Sequence, residues 1–399
     1  MKAASKLNDT DLCVMCGMCL PQCPTYQLYQ NETESPRGRI ALMQAINQGR
    51  IEADSQALLH IDHCLGCLNC ETICPSRVPY GELIDEFRDQ YRESIYKPVT
   101  SKLVLRQAAK TNGINQLATI TSSPLVKPFV KAVTACVNTL THTASNPFNV
   151  PPTTYNLLYP GNYSLPDECR GEVSLFIGCS GASLDQQTID DAILILNQLK
   201  FDVHIADNQT CCGALHQHNG QKTTAEQLLL EHKPQSEASD DQTRLFFTPA
   251  CGDRLMQSSD NHIMDIRSFI LEALQQWPLS FSTPTQAVAL HESCSHRNML
   301  KLNTLNYDLL NCIDSLQIIE SSNTALCCGA GGIQSINYPL QADALLQGKL
   351  KSFDFTQTNT LISDNIGCSL HIKTAISAYN PNIEIMHPVS FLARHLANS

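Results

Sequence analysis

Two cysteine runs constrain this chain more than any other feature. Cys13-x2-Cys16-x2-Cys19-x3-Cys23-Pro24 is followed by Cys64-x2-Cys67-x2-Cys70-x3-Cys74-Pro75. Two-residue spacers let three successive thiolates curl around one corner set of a cubane. The proline after the fourth Cys directs that thiolate away, toward a second centre. The spacing therefore predicts two [4Fe–4S] clusters with crossed ligation. Cys13, Cys16, Cys19 and Cys74 would hold one, and Cys64, Cys67, Cys70 and Cys23 the other. A lone C-x2-C pair would suit zinc, but two complete runs, each followed by Pro, argue against it.

Forty residues separate Cys23 from Cys64. They contain Pro36-Arg37-Gly38-Arg39 and then Ile40, Leu42, Met43 and Ile46 at helical spacing. Ala57 to Ile61 also reads as helix. These segments predict an α-helical ferredoxin domain over residues 1–95. Arg37 and Arg39 either offset the negative charge of a thiolate-bound cluster or solvate a helix N-terminus.

Nineteen of the 399 residues are Cys. They fall in tight runs and in two adjacent pairs, Cys211-Cys212 and Cys327-Cys328, and no apolar leader segment opens the chain. That usage predicts metal-ligating thiolates in a reducing, cytoplasmic compartment rather than disulfides. A formal net charge of -11 excludes a general nucleic-acid footprint. Residues 125–144 come closest to a membrane span, but Lys127, Pro128 and Lys131 interrupt them.

No acidic residue lies between Glu93 and Asp167, whereas Lys97, Lys102, Arg106, Lys110, Lys127 and Lys131 do. Ile95 to Ala109 and Leu125 to Leu140 read as amphipathic helices, and Asn146 to Pro152 as an extended linker. Residues 96–170 thus form a basic connector. It either docks on an anionic membrane surface or acidic subunit, or simply carries solvated lysines.

The second half repeats itself. Strand-like Val173 to Ile177 leads to Cys179, and Ala287 to His291 leads to Cys294. Cys211-Cys212-Gly213-Ala214 is matched by Cys327-Cys328-Gly329-Ala330. The segment ending at Cys251 is matched by Leu361-Ile362-Ser363 through Gly367-Cys368. The offsets (179 to 294, 211 to 327, 251 to 368) are 115, 116 and 117 residues, the drift of a duplication. Helical stripes lie between: Ile189, Ala192, Ile193, Leu196 and Leu199, and later Leu340, Ala344, Leu345 and Leu350. The fold class is therefore multidomain α and α/β, with cysteine-rich repeats at 171–285 and 286–399. Each repeat brings four Cys to strand ends and Gly turns: Cys179, Cys211, Cys212 and Cys251, then Cys294, Cys327, Cys328 and Cys368. Each quartet has three open readings: an iron–sulfur cluster, a zinc ion, or thiols packed as small hydrophobes. Cys136, Cys169 and Cys312 lie outside the pattern. His216, His218 and His291 are either ligands or proton relays, or structural hydrogen-bonded groups.

The paired CCG segments resemble the cysteine-rich domains of heterodisulfide reductase subunits and of iron–sulfur subunits of lactate, glycerol-3-phosphate and glycolate dehydrogenases. A closer resemblance is to the iron–sulfur subunit family of glycolate oxidase. It is carried by Cys16-Gly17, Cys23-Pro24-Thr25-Tyr26-Gln27-Leu28, Pro36-Arg37-Gly38-Arg39-Ile40, Cys67-Leu68-Asn69-Cys70-Glu71-Thr72 and Asn365-Ile366-Gly367-Cys368. The resemblance implies an electron-transfer subunit of a multi-chain glycolate dehydrogenase. FAD-containing partner subunits would oxidise the 2-hydroxy acid, and electrons would leave toward a membrane acceptor such as quinone. The chain would sit on the cytoplasmic face of the inner membrane. No G-x-G-x-x-G turn follows a strand, so FAD binding by this chain itself is not expected. The fullest form of the repeat ends in C-x-x-C, whereas here the ends are Cys251-Gly252-Asp253-Arg254 and Cys368-Ser369-Leu370-His371. This departure argues against non-cubane clusters and against one alternative function, a heterodisulfide-type thiol/disulfide reductase; the other alternative is the iron–sulfur subunit of a lactate or glycerol-3-phosphate dehydrogenase. A non-enzymatic iron–sulfur scaffold or redox sensor is the third reading.

Charge reversal of Lys127 and Lys131 should release the protein from anionic vesicles in a sedimentation assay; unchanged partitioning would refute membrane docking by the connector.

Overall fold

The computed structural model describes residues 6–110, 160–164, 169–207, 209–231, 242–258, 262–284, 287–380 and 382–397. Cys136, the segment Leu125 to Leu140 with Lys127 and Lys131, and the linker from Asn146 lie outside the described residues. Among the described residues, no helix is long and apolar enough to cross a membrane.

The N-terminal part is helical, and no described residue before Gly161 is in a strand. The helix Pro36–Asn47 starts where the sequence places it. Ser35 caps it by accepting from the Gly38 N–H, and Pro36 occupies the first turn, where a missing N–H costs nothing. Asp54 caps the helix Ser55–Asp62 in the same way. These helices bury Ile40, Met43, Ile46, Leu58 and Ile61 against Leu7 and against Leu83, Ile84 and Phe87 of the helix Tyr80–Gln90.

Two sheets follow. The first comprises β1 (Gly161–Tyr163), β2 (Gly171–Phe176), β3 (Phe201–Ile205), β4 (Thr243–Phe246) and β5 (Ile263–Asp265), in the order β1-β3-β2-β4-β5. The second comprises β6 (Val288–His291), β7 (Ile318–Glu320), β8 (Thr360–Ser363) and β9 (Glu384–Met386), in the order β7-β6-β8-β9. All pairings are parallel except β1 on β3. Without β1 the two orders are the same, so the duplicated cysteine spacing reflects a duplicated α/β unit. β1 departs from the sequence reading: the end of the connector is an edge strand of the first sheet.

The helix Gln186–Gln198 buries the expected stripe of Ile189, Ala192, Ile193 and Leu196. Its counterpart, Pro339–Lys351, is rotated from expectation. Leu340 and Ala344 face outward, and Ala342, Leu345, Leu346 and Leu350 face inward. That rotation presses the Ala342 backbone against Gly329 and turns Lys349 inward. The two sheets share one core. Val173, Leu175 and Ile189 pack in the same cluster as Leu290, Ile362, Val389 and Leu392. The helix Pro388–Arg394, which follows the second sheet, packs on Gln186–Gln198 of the first unit.

One buried ion pair joins the parts. Arg88 Nε lies 3.2 Å from Asp62 Oδ1, both fully buried. The Arg88 guanidinium also donates to the carbonyls of Asp62 (2.9 Å), Cys64 (2.6 Å) and His218 (3.0 Å). Asp62 accepts from Lys97 of the connector at 2.6 Å and from Tyr338 of the second unit. Burial pushes the Asp62 carboxyl up, but Arg88 and Lys97 outweigh it and hold the group below its ordinary value.

Arg88→Ala should destabilise the chain by about 3–5 kcal/mol, because it strands a buried carboxylate; denaturant titration measures the loss. Asp62 contributes fully above its unfolded value of about 3.9 and loses that contribution as pH falls through its depressed folded value. The penalty of the variant should therefore persist at neutral pH and fade only in strong acid.

Candidate metal centres

Both N-terminal loops bend sulfur inward by the same device. Met15 (φ 55°) and Gly17 (φ 82°) flank Cys16 in the left-handed region, and Gly66 (φ 63°) and Leu68 (φ 57°) flank Cys67. Each loop thus has two left-handed residues and one glycine, at opposite positions. A side chain at Gly17 would place its Cβ 2.7 Å from Arg37 Nη1.

The loops wall two adjoining hollows. One, about 440 Å³ with its open mouth included, is lined by Cys13, Cys16, Cys19 and Cys74, with Cys70 at its edge. The other, about 310 Å³, is lined by Cys23, Cys64, Cys67 and Cys70. Pro36, Cys70 and Tyr80 line both. Cys16 is exposed, whereas Cys23, Cys64, Cys67 and Cys70 are buried.

Donors aim at the sulfurs of the buried set. The Gly66 N–H lies 3.4 Å and Tyr80 OH 3.6 Å from Cys64 Sγ, and Arg39 Nη1 lies 3.9 Å from Cys23 Sγ. Arg39 is 1% exposed and also bonds Glu34 (2.6 Å), Thr25 (2.9 Å) and the His60 carbonyl (2.7 Å). The two arginines therefore divide the roles read from sequence. Arg39 is the buried cation beside the Cys23 sulfur. Arg37 pairs with Glu32 (2.6 Å) and steadies the first loop through the Met15 carbonyl (3.1 Å). Burial pushes the Cys67 and Cys70 thiols well up. Thiol-rich hollows with N–H, O–H and guanidinium donors aimed at sulfur fit anionic [4Fe–4S] clusters.

Each C-terminal quartet sits where parallel strands end and helices begin. Cys179 follows β2, Cys251 follows β4, Cys294 follows β6, and Cys368 follows β8. The adjacent pairs lie on glycine turns. Gly213 (φ 90°) and Gly329 (φ 85°) each point an N–H at the first sulfur of their pair, 3.4 and 3.3 Å away. A Cβ there would stand 2.6 Å from the Ala225 carbonyl oxygen or 2.5 Å from that of Ala342. In both units the sulfurs form one chain of contacts. It runs Cys179, Cys211, Cys212, Cys251 in the first and Cys294, Cys327, Cys328, Cys368 in the second. Hydrogen bonds from the Cys179 and Cys212 thiols, with help from His216, draw Cys211 well below the usual thiol value despite burial. Cys169 and Cys312 stand apart from these sets; Cys169 is exposed and bonds the Gly171 carbonyl.

The three histidines separate. His216 Nε2 donates to the Leu105 carbonyl at 3.1 Å, tying down the connector helix Val99–Ala108. His218 pairs with Asp85 at 3.3 Å, which outweighs burial and raises its pKa. His291 is 2% exposed, and neither of its nitrogens has a hydrogen-bond partner. Burial, then Lys349, pushes its pKa down to about 3, so the ring is neutral. An unpaired buried group of this kind costs about 1–3 kcal/mol. His371, which follows Cys368 at C-x-x-H spacing, is paired instead with the Ala342 backbone.

Sequence reasoning missed Asn69 and Asn298. Asn298 donates to the Cys67 carbonyl and to Asn69 Oδ1, both at 2.6 Å, and Asn69 donates to the Ala325 carbonyl at 3.1 Å. These bonds press the second N-terminal cysteine loop onto the second quartet, and Cys294 lies within electrostatic reach of Cys67. A single Asn inside a cysteine run carries no signal of such docking.

The description "4Fe-4S dicluster domain" matches residues 9–78, and "Cysteine-rich domain" matches residues 173–252 and again 288–373. The protein named "Probable glycolate oxidase iron-sulfur subunit" from Bacillus subtilis is 28% identical over 91% of this chain and 88% of its own length. The "Glycolate oxidase iron-sulfur subunit" of Escherichia coli is 27% identical over 91% of this chain and 89% of its own. "Lactate utilization protein A 2" of Bacillus cereus is 25% identical over 56% of this chain and 99% of its own.

Gly329→Ala should cost about 1–2 kcal/mol for left-handed backbone, plus the clash with Ala342. Gly348→Ala, in the same region with nothing within 4 Å of the new Cβ, should gain about 0.5–1 kcal/mol. The two denaturation midpoints should move in opposite directions.

Proposed function

From a chain that joins one 4Fe-4S dicluster domain to two cysteine-rich domains, we propose the iron–sulfur electron-transfer subunit of a multi-subunit glycolate (2-hydroxy acid) dehydrogenase. Glycolate oxidation itself belongs to FAD-containing partner subunits, and the electrons leave toward a membrane acceptor such as quinone. Cys13, Cys16, Cys19 and Cys74 hold one [4Fe–4S] cluster, and Cys64, Cys67, Cys70 and Cys23 hold the other. One or both C-terminal quartets hold a further iron–sulfur cluster. Such clusters, when bound, supply one-electron carriers.

The observation that best supports this reading is the line of cysteine sets. One set opens at the surface at Cys16. The next is buried and shares Cys70 and Tyr80 with it. Asn69 and Asn298 then hold that buried loop against the second quartet. The chain's own side chains position the sets, and Arg39, Tyr80 and the glycine N–H groups offset negative charge on sulfur. The exposed set is the entry for electrons from the flavoprotein. The domains run 1–95, 96–170, 171–285 and 286–399. The subunit works in the cytoplasm, peripheral on the inner membrane, and docks through its acid-free connector.

Iron analysis with EPR on the anaerobically purified complex tests the reading. Two clusters alone correspond to about 8 iron atoms per chain, and loaded repeats to about 12 or about 16. Glycolate should reduce the clusters when the flavoprotein co-purifies. A complex that ignores glycolate and lactate yet reduces a disulfide substrate would overturn it in favour of a heterodisulfide-type reductase.

A further inference from the structure

The two cysteine-rich units share a topology but differ at one point. Phe176, at the end of β2, is paired in register with Phe246 of β4. The corresponding pair in the second unit is His291 of β6 and Ser363 of β8. The first unit thus closes its central strands with two apolar rings. The second places two polar groups there, both buried: His291 is 2% exposed and Ser363 1%. Neither ring nitrogen of His291 has a hydrogen-bond partner, nor does Ser363 Oγ.

His291 is aimed at the quartet. A ring nitrogen and the Sγ atoms of Cys328 and Cys368 all lie within 4.8 Å of one another, and the two sulfurs are 3.1 Å apart. Cys294, Cys327, Cys328 and Cys368 line the same small hollow as His291. An imidazole with no hydrogen-bond partner beside thiol sulfurs is a donor set for a metal of borderline softness, iron or zinc.

We propose that the second cysteine-rich unit is a mixed thiolate–imidazole metal centre in which His291 is a ligand together with Cys328 and Cys368, a ligand the first unit lacks at the equivalent strand position, Phe176. The proposal rests on the reading that the second quartet is loaded. A neutral imidazole leaves less negative charge on the centre than a thiolate would. Where the metal is iron in both units, nitrogen ligation of this kind raises the potential of the centre and makes the second unit the more easily reduced of the two.

The test uses the intact, metal-loaded chain, with natural and with 15N-labelled histidine. If the metal is iron, pulsed EPR of the reduced protein should show a directly coordinated histidine nitrogen whose coupling changes on labelling. If it is zinc, X-ray absorption at the zinc edge should show one nitrogen among sulfur neighbours. In His291→Phe, which copies the residue of the first unit, the nitrogen signal should vanish, while in His216→Phe it should persist. Even if H291F folds poorly, labelling the unsubstituted chain shows whether any histidine is a ligand, and a spectrum without a bound nitrogen overturns the assignment. Metal beyond that of the dicluster domain with a sulfur-only shell, or a nitrogen signal unmoved in H291F, overturns the His291 assignment and leaves the loaded-quartet reading standing. About 8 iron atoms and no zinc per chain overturns both.

Discussion

The structure depends on the buried ion pair of Arg88 with Asp62. Arg88 lies on the helix Tyr80–Gln90, yet its guanidinium reaches carbonyls of the helix Ser55–Asp62, of Cys64 and of His218 in the first cysteine-rich unit. Asp62 meets Lys97 of the connector and Tyr338 of the second unit. One pair of opposite charges thereby fixes four segments in a single register. Buried pairs add little net stability, because desolvation consumes most of the Coulomb gain. What this pair supplies is specificity, since any other docking of these segments would leave a charge uncompensated in the interior.

Around it, the sulfur sites solve a common problem with local backbone. Thiolates need donors, and helix caps and main-chain N–H groups supply them at close range. Left-handed residues flank Cys16 and Cys67, and left-handed glycines follow Cys212 and Cys328. At Gly213 and Gly329 the demand is doubly strict, because a neighbouring helix presses its backbone onto the turn. The same turn occurs in both units, each time under the backbone of a neighbouring helix, so sulfur geometry and packing set it together.

Much of this was legible in the sequence. The helix stripes at Ile40 to Ile46 and at Ile189 to Leu196, the strands ending at Phe176, His291 and Ser363, and the duplication all follow from periodicity and spacing. The short strands β3, β5, β7 and β9 were not legible. They are three to five residues long and carry residues such as Asp202, Glu320 and Glu384 that hide alternation. The rotation of Pro339–Lys351 was hidden because Leu340 is apolar but exposed, while Lys349 is charged but buried. In the sites, the cysteines announced themselves through spacing. Arg88, Asn69 and Asn298 did not, because their roles come from contacts with residues distant in sequence; His291 stood out as a candidate ligand beside Cys294, but its burial without a partner did not show.

The packing of Pro388–Arg394 on Gln186–Gln198 has a kinetic consequence. The first cysteine-rich unit borrows part of its core from a helix made roughly two hundred residues later. Its hydrophobic face stays open during synthesis, and closing it requires a long-range contact, which slows folding. The N-terminal domain has its own core and cysteine loops well before that moment. Assembly thus has a built-in sequence: the dicluster domain first, and the paired sheets only once Pro388–Arg394 has been made.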